Sequence, residues 1–262
     1  GLGIASITDP PTFRSRAACA MASPSKIILE YNMQEPDQQG TVPDGEARPV
    51  SRAASVAEAR SWIGTPYRHQ ASLKGAGADC LGLAGALPPG TPPDLYATIL
   101  REFRASGLET AVDAFGGTLK ASLQGEPGIT SPNRREAEEL VGYEFQDDAD
   151  IAGAAERSAQ MGAEVVLIHD ADGAVARVPH GRGSRTLRAS LPRMSEVAAT
   201  VGSGDAFLGG FISAWLPDHD AEAALRTAVA SGAANALHLG AGVCSSDDVD
   251  AFARRVILEE SD

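Results

Sequence analysis

The chain has little cysteine, too few basic residues to balance its acids, and no long apolar run. Three cysteines in 262 residues, Cys19, Cys80 and Cys244, stand far apart. That spacing excludes the short pairs of zinc sites and redox motifs, and a reduced, cytoplasmic setting is the simplest reading. Lysine and arginine number 22 against 35 aspartates and glutamates, a formal net charge of −13. Nucleic acid and anionic lipid both reward a basic face, so neither is an expected partner. Any polyanionic ligand has to be held by local donors or by a metal. No run approaches the roughly 20 apolar residues that span a bilayer. The N-terminus lacks the basic-then-apolar layout of a secretory signal, and no internal repeat is visible.

What is present is ordinary globular composition, 43% hydrophobic and 22% charged, in a length that suits one α/β domain or two small ones. From residue 83 onward short apolar runs alternate with helical periodicity, the pattern of βα units around a mostly parallel sheet. Strands are expected at 83–87, 109–114 and 164–169, and an antiparallel pair at 173–178 and 185–191 across a glycine-rich turn. Thr91 and Pro92 open a helix as cap and first-turn residue. Its stripe is Leu95, Tyr96, Ile99, Leu100 and Phe103, and Gly107 ends it. Further helices are expected at 118–123, 133–141 and 148–161. In the last third Phe207, Leu208, Phe211, Ile212, Trp215 and Leu216 form one stripe, followed by an alanine-rich helix over 219–239 and a final helix over 246–258. Residues 32–55 are polar and rich in proline, glycine and acids, the composition of linker or disorder, and 55–64 has the periodicity of one amphipathic helix. The expected organisation is linker or disorder for most of 1–58, a distinct segment over 59–83, and an α/β core over 84–262.

The stretch TVGSGDAFLGGF, residues 200–211, sets small residues and one aspartate ahead of an apolar run. Bare amides at a helix start hold anions, and glycine lets a phosphate approach without Cβ atoms in the way. Gly202, Ser203 and Gly204 supply such amides. Phosphoryl transfer asks for positioning, charge neutralisation and a carboxylate to accept the proton of the attacking hydroxyl. Asp205 stands where it can do that. The same spacing suits a plain glycine turn with Asp205 as helix cap.

TVGSGDAFLGGF resembles the C-terminal signature of the ribokinase-like (phosphofructokinase B) sugar kinases. PNRREAEEL, 132–140, resembles the family's second motif, AGALPPG, 84–90, its strand-and-turn segment, and GAANALHLGAG, 232–242, its nucleotide-side helix and turn. They fall in the family's order, and the flavour is closest to 1-phosphofructokinases and tagatose-6-phosphate kinases. The resemblance implies a ribokinase-like three-layer α/β/α sandwich with a mostly parallel sheet, and ATP and Mg²⁺ as cofactors. It implies phosphoryl transfer to a hydroxyl of a sugar phosphate of the fructose 1-phosphate or tagatose 6-phosphate type. Asp205 is then the catalytic base, and the amides of Gly202, Ser203, Gly204 and Asp205 form the anion hole. Asn133 and Glu136 organise Mg²⁺ and its waters, although their spacing is equally that of a helix capping box. Asp113 and Lys120 lie near the sugar-phosphate pocket, with a strand-end turn as the other role open to Asp113. Ala233 and Asn235 flank the adenine, where small residues also permit close helix packing. Thr200, Gly173 and Gly240 belong to the nucleotide side.

The chain departs from the family pattern in two regions. In VVLIHDADG, Ile168 and Asp170 stand where the family usually carries a Ser or Thr and then Gly. An apolar group replaces a hydroxyl donor, and a carboxylate repels a nearby phosphate unless metal intervenes. Ser131 stands where close relatives often have lysine. Nothing before residue 83 resembles the family's sugar-binding half, so N-terminal strands and lid are expected to be missing or replaced. Impaired activity and a homodimer through an exposed sheet edge follow from that expectation. Instead ARSWIGTPYRHQASLKGAGADCLGL, 59–83, resembles the opening of NlpC-type cell-wall cysteine peptidases, which implies Cys80 as a nucleophile at the start of a helix. That family's activating histidine follows the cysteine on a strand. Here His69 precedes Cys80, and His169 lies in a kinase-like strand, so the other reading of Cys80 is a small buried residue. A third reading is a non-catalytic remnant that binds nucleotide or a partner.

Overall fold

The run Val165–His169 is apolar at every position but the last, because it is a strand with helices on both faces. Val165 and Leu167 pack into one layer, and Val166 and Ile168 into the other, as a period of two requires. The computed structural model describes residues 28–32, 79–85, 87, 90–105, 107–192, 197–239 and 244–261. Most of the peptidase-like stretch with His69, the amphipathic segment 55–64, and Gly240 lie outside those residues.

The sheet has eight strands in the order β1 (Ile28–Asn32), β2 (Cys80–Ala84), β3 (Glu109–Asp113), β4 (Ile129–Thr130), β5 (Val165–His169), β6 (Gly173–His180), β7 (Gly183–Ser190) and β8 (Ile257–Ser261). Pairings from β1 to β5 are parallel, and those from β5 to β8 antiparallel. Parallel neighbours need helical crossovers. These are α1 (Leu95–Ala105) after β2, α2 (Gly116–Leu123) after β3, and α3 (Arg134–Val141) with α4 (Asp148–Gln160) after β4. They cover one face through Tyr96, Leu100, Leu119, Leu123 and Ile151.

The other face is covered by α5 (Ser203–Asp218) and α6 (Ala221–Ala236), with α7 (Ser246–Ala253) against α6. The expected stripe of α5 is realised, with Phe211 and Ile212 fully enclosed. Each such side chain contributes roughly 1.5–3 kcal/mol by leaving water. The three-layer α/β/α sandwich implied by the sequence is therefore present.

Six local expectations are corrected. The strand expected at 83–87 is Cys80–Ala84, because Gly85 turns out of it at φ 84 and donates its amide to Asp113 O at 2.8 Å. Cys80 thus begins a strand and not a helix. Thr91 does not cap α1: its hydroxyl is buried without a partner among the described residues, and a turn closed by Leu95 N to Pro92 O precedes the helix. The alanine-rich helix starts at Ala221, because His219 at φ 54 breaks the chain from α5 and Asp220 caps Glu222 N and Ala223 N. The last helix stops at Ala253, where Arg226 reaches across to the carbonyls of Ala253 and Val256. The chain then enters β8, which pairs with β7 along an otherwise open edge. Finally, Ile28–Asn32 is a strand inside the region read as mostly linker.

Candidate active site

In open α/β sheets ligands bind beyond the carboxyl ends of the parallel strands. At that end β4 runs on through Ser131 and Pro132 to Asn133, which forms an isolated bridge with His169. His169 N donates to Pro132 O at 3.3 Å. The N-terminus of α5 meets the same histidine. A Cβ built on Gly204 would stand 3.5 Å from His169 Cε1, and the His169 ring lies 4.7 Å from that of Phe207. Two motifs far apart in sequence, PN and GSGD, therefore converge on His169. The sequence pattern assigns this residue no site role, although a histidine closing an otherwise apolar strand is the available signal.

Gly202 is the N-cap of α5, at φ 79 and ψ 2, and provides no side-chain cap. That left-handed backbone favours glycine. Ala206 N closes the first turn on Gly202 O at 2.9 Å. The amide of Ser203, expected in the anion hole, donates instead to Thr200 O at 3.1 Å, which tightens the turn. The amides of Gly202, Gly204 and Asp205 make no hydrogen bond among the described residues. They are the orphan donors of a helix start, at the positive end of its dipole.

Asp205 lies on the exposed side of this turn. It is not the cap, and its carboxylate has no partner among the described residues. Desolvation by the surrounding protein holds its pKa above the ordinary aspartate value.

The turn is held from behind by α6. Asn235, fully buried, donates through Nδ2 to Val201 O at 2.9 Å and to Ser203 Oγ at 3.2 Å. Ala236 O accepts from Ala198 N at 2.8 Å and Ala199 N at 3.3 Å. Asn235 was expected beside the adenine; it faces the turn instead, because a buried amide needs partners and the turn supplies them. Ala233 is half-buried among Ala230, Ala234, Val249 and Phe252, and Thr200 is exposed in the approach to the turn.

Asn133 and Glu136 form a complete capping box: Glu136 N donates to Asn133 Oδ1 at 3.0 Å, and Asn133 N to Glu136 Oε2 at 2.9 Å. Burial raises the Glu136 pKa against bonds to its carboxylate from the backbone and the side chain of Asn133. Asp113 closes β3. Lys120 is exposed in the last turn of α2, roughly 6 Å along the helix axis from the end that meets the strands. Gly173 serves the sheet, since a Cβ there would fall 2.0 Å from Ala189 O at φ 150. Asp170 is committed to the β5–β6 turn: its Oδ1 accepts from Asp172 N at 2.9 Å and Gly173 N at 3.2 Å, and its Oδ2 lies 3.7 Å from Arg134 Nη1. That pairing offsets the repulsion expected between Asp170 and a phosphate. Ile168 is buried in the core and offers no donor.

A cavity of about 700 Å³ opens at the opposite end of the sheet among Arg104, Glu109, Thr110, Glu164 and His219. None of Asn133, Glu136, Asp205 and the bare amides of the α5 turn lines it. Cys80 is 1% exposed, and burial, with Glu109 and Asp79 adding to it, pushes its thiol far above the ordinary range. A thiolate nucleophile does not form under those conditions.

Residues 65–248 match the profile of the pfkB family carbohydrate kinases. That match begins inside 59–83, and the peptidase resemblance is not borne out. The 1-phosphofructokinase of Haemophilus influenzae is 31% identical over 135 residues, covering 51% of this chain and 42% of that protein. The Escherichia coli 1-phosphofructokinase is 27% identical over 215 residues, covering 82% of this chain and 64% of that protein. The chain thus spans less than two thirds of the length of these curated relatives. Among solved structures, Escherichia coli phosphofructokinase-2 in complex with potassium superposes with a TM-score of 0.65 at 25% identity, covering 76% of this chain and 62% of that one. Arabidopsis thaliana ribokinase complexed with ribose and ATP gives 0.56 at 21% identity, covering 68% and 56%, a likeness of fold.

Proposed function

This chain belongs to the pfkB family of carbohydrate kinases, and on that premise we propose that it transfers the γ-phosphoryl group of ATP to a hydroxyl of a sugar phosphate. The acceptor is of the fructose 1-phosphate or tagatose 6-phosphate type. One observation carries the proposal: α5 starts uncapped, with amides at Gly202 and Gly204 and an exposed carboxylate, Asp205, in the same turn, all without a partner among the described residues. The amides stabilise charge that grows on the transferring group, because they are fixed before the reaction and need no reorganisation. Asp205 accepts the proton of the attacking hydroxyl, and its raised pKa brings it closer to the strength a base needs near neutrality. Asp113 and Lys120 bind the sugar phosphate in this reading, and Ala233 lies on the nucleotide side.

Mg²⁺ fits as an ion carried on the nucleotide phosphates. Among the described residues no group of three or more His, Cys, Asp or Glu could hold a metal, and sites of this kind use one carboxylate, waters and substrate phosphates. Glu136 keeps Oε1 outside its capping box for a bridging water, and the ion supplies charge neutralisation. The absent hydroxyl at Ile168 and the missing lysine at Ser131 support a lowered affinity for ATP. The reading includes a cytoplasmic setting, and among the described residues no helix is long and apolar enough to cross a membrane. It also includes a homodimer through a sheet edge.

The test is ADP formation from Mg·ATP in the presence of fructose 1-phosphate, tagatose 6-phosphate or unphosphorylated fructose. Turnover that depends on a phosphorylated sugar is expected. ADP release indifferent to the sugar, or none with either phosphate, contradicts the proposal.

A further inference from the structure

The turn that presents the bare amides has backbone bonds of its own, Ser203 N to Thr200 O and Ala206 N to Gly202 O, but no side-chain cap from within. Its N-cap is a glycine, whose hydrogen side chain cannot accept a bond, and Val201 beside it is 69% exposed and packs on little. Asn235 supplies what the turn lacks, reaching from the last turn of α6 to both Val201 O and Ser203 Oγ. Planar trans peptides set a carbonyl and the next N–H in opposite directions. By holding the Val201 carbonyl inward, Asn235 therefore aims the Gly202 N–H outward. Its second bond turns the Ser203 hydroxyl back toward α6, so that the hydroxyl does not crowd the anion. Close helix packing keeps the reach short: Gly232, one turn before Asn235, leaves a Cβ position only 3.2 Å from Ser203 O.

We propose that Asn235 is a positioning residue for phosphoryl transfer, setting the orientation of the Val201–Gly202 peptide and of Ser203 so that the anion hole is preformed. This inference rests on the kinase reading of the same turn. It places Asn235 behind the anion hole, out of contact with the nucleotide.

Three proteins test it: Asn235→Ala, Ser203→Ala, and the double variant. Removing the amide lets the Val201–Gly202 peptide rotate. The expected result is a loss of about tenfold or more in kcat with Asn235→Ala, with the KM for the sugar phosphate within about twofold of wild type. Ser203→Ala breaks only one of the two bonds and loses less. The double variant loses less than the product of the single losses, because both substitutions cut one shared bond. In parallel, ¹⁵N–¹H spectra follow the amides of Gly202, Gly204 and Asp205 during titration with inorganic phosphate. In wild type these signals shift on titration; in Asn235→Ala they start from different positions and respond weakly.

Unchanged kcat and unchanged amide signals in a folded Asn235→Ala protein overturn the inference while leaving the kinase reading intact. Wild type that turns over neither sugar phosphate removes the kinase reading. The amide spectra then still decide whether Asn235 orders the turn, and a loss of melting temperature alone, with these signals unmoved, counts against it.

Discussion

The imidazole of His169 packs at 4.7 Å against the ring of Phe207, which fastens the end of β5 to the first turns of α5. Through this contact the strand that carries Asn133 alongside it and the helix that carries Asp205 share one support. Because packing and hydrogen bonds between distant elements assemble the site, its geometry is sensitive to small changes in volume and protonation.

His169 itself gives the first prediction. Burial lowers its pKa to about 4, against a bond to the Ser131 backbone and the charge of Asp170, both of which favour the proton. An unfolded histidine takes up a proton near 6.5, whereas the folded one resists until about 4. The unfolded state binds more protons across that window, so stability is fully present above it and is lost as pH falls through it. Between pH 7 and 4.5 the melting temperature of wild type should fall further than that of His169→Leu. Equal falls would show that the ring is not enclosed as described.

Asp205 has the opposite sign. Its folded pKa is raised by desolvation, so its contribution to stability is present below the unfolded value and lost as pH rises through the folded one. Asp205→Asn is therefore expected to melt higher than wild type at pH 7, with the gap closing in acid. Thermal denaturation at the two pH values checks this, and a variant less stable at pH 7 contradicts it.

Glycines of α5 separate packing from chemistry. At Gly204 a Cβ meets only ordinary contact, 3.5 Å from His169 Cε1, while it projects beside the bare amides. Gly204→Ala should fold with an unchanged or higher melting temperature and lose about tenfold or more of its turnover. At Gly210 a Cβ would fall 2.4 Å from Ser231 Oγ and 2.8 Å from Ser231 Cβ. Gly210→Ala should cost about 1–3 kcal/mol by overpacking, whereas Gly209→Ala, with open space around it, should cost less. Denaturant melts of the three variants give the comparison.

Cys80 should be inert. Its thiol is enclosed between the sheet and the layer of α5 and α6. A small disulfide reagent at neutral pH is expected to leave Cys80 unlabelled in the folded protein and to label it in denaturant, as mapped on the peptide carrying it. Rapid labelling of native Cys80 would contradict the packing.

Patterns driven by local chemistry were legible in the sequence: the continuous run of β5, the stripe of α5, and the capping box of Asn133 and Glu136. The glycines of GSGD read as the start of a helix with bare amides, and the structure has a left-handed Gly202 and no side-chain cap there. What was not legible depends on partners distant in the chain. The helical pattern read over 246–258 runs past the true end of the helix, and Ile257 and Leu258 become strand because β7 offers an edge there. Asn235 looked like a nucleotide contact because its motif flanks one in the family, and only the fold shows it turned inward to Val201. Asp170 reads as repulsive in the sequence, and only the fold brings Arg134 and the turn amides to hold it.

The most direct measurement is ADP formation by wild type and Asp205→Asn, side by side, with Mg·ATP and saturating fructose 1-phosphate or tagatose 6-phosphate. Removal of the base is expected to lower kcat by about 10²–10⁴-fold in a protein that remains folded. Equal turnover by the two proteins contradicts the assignment of Asp205 and the site built around it.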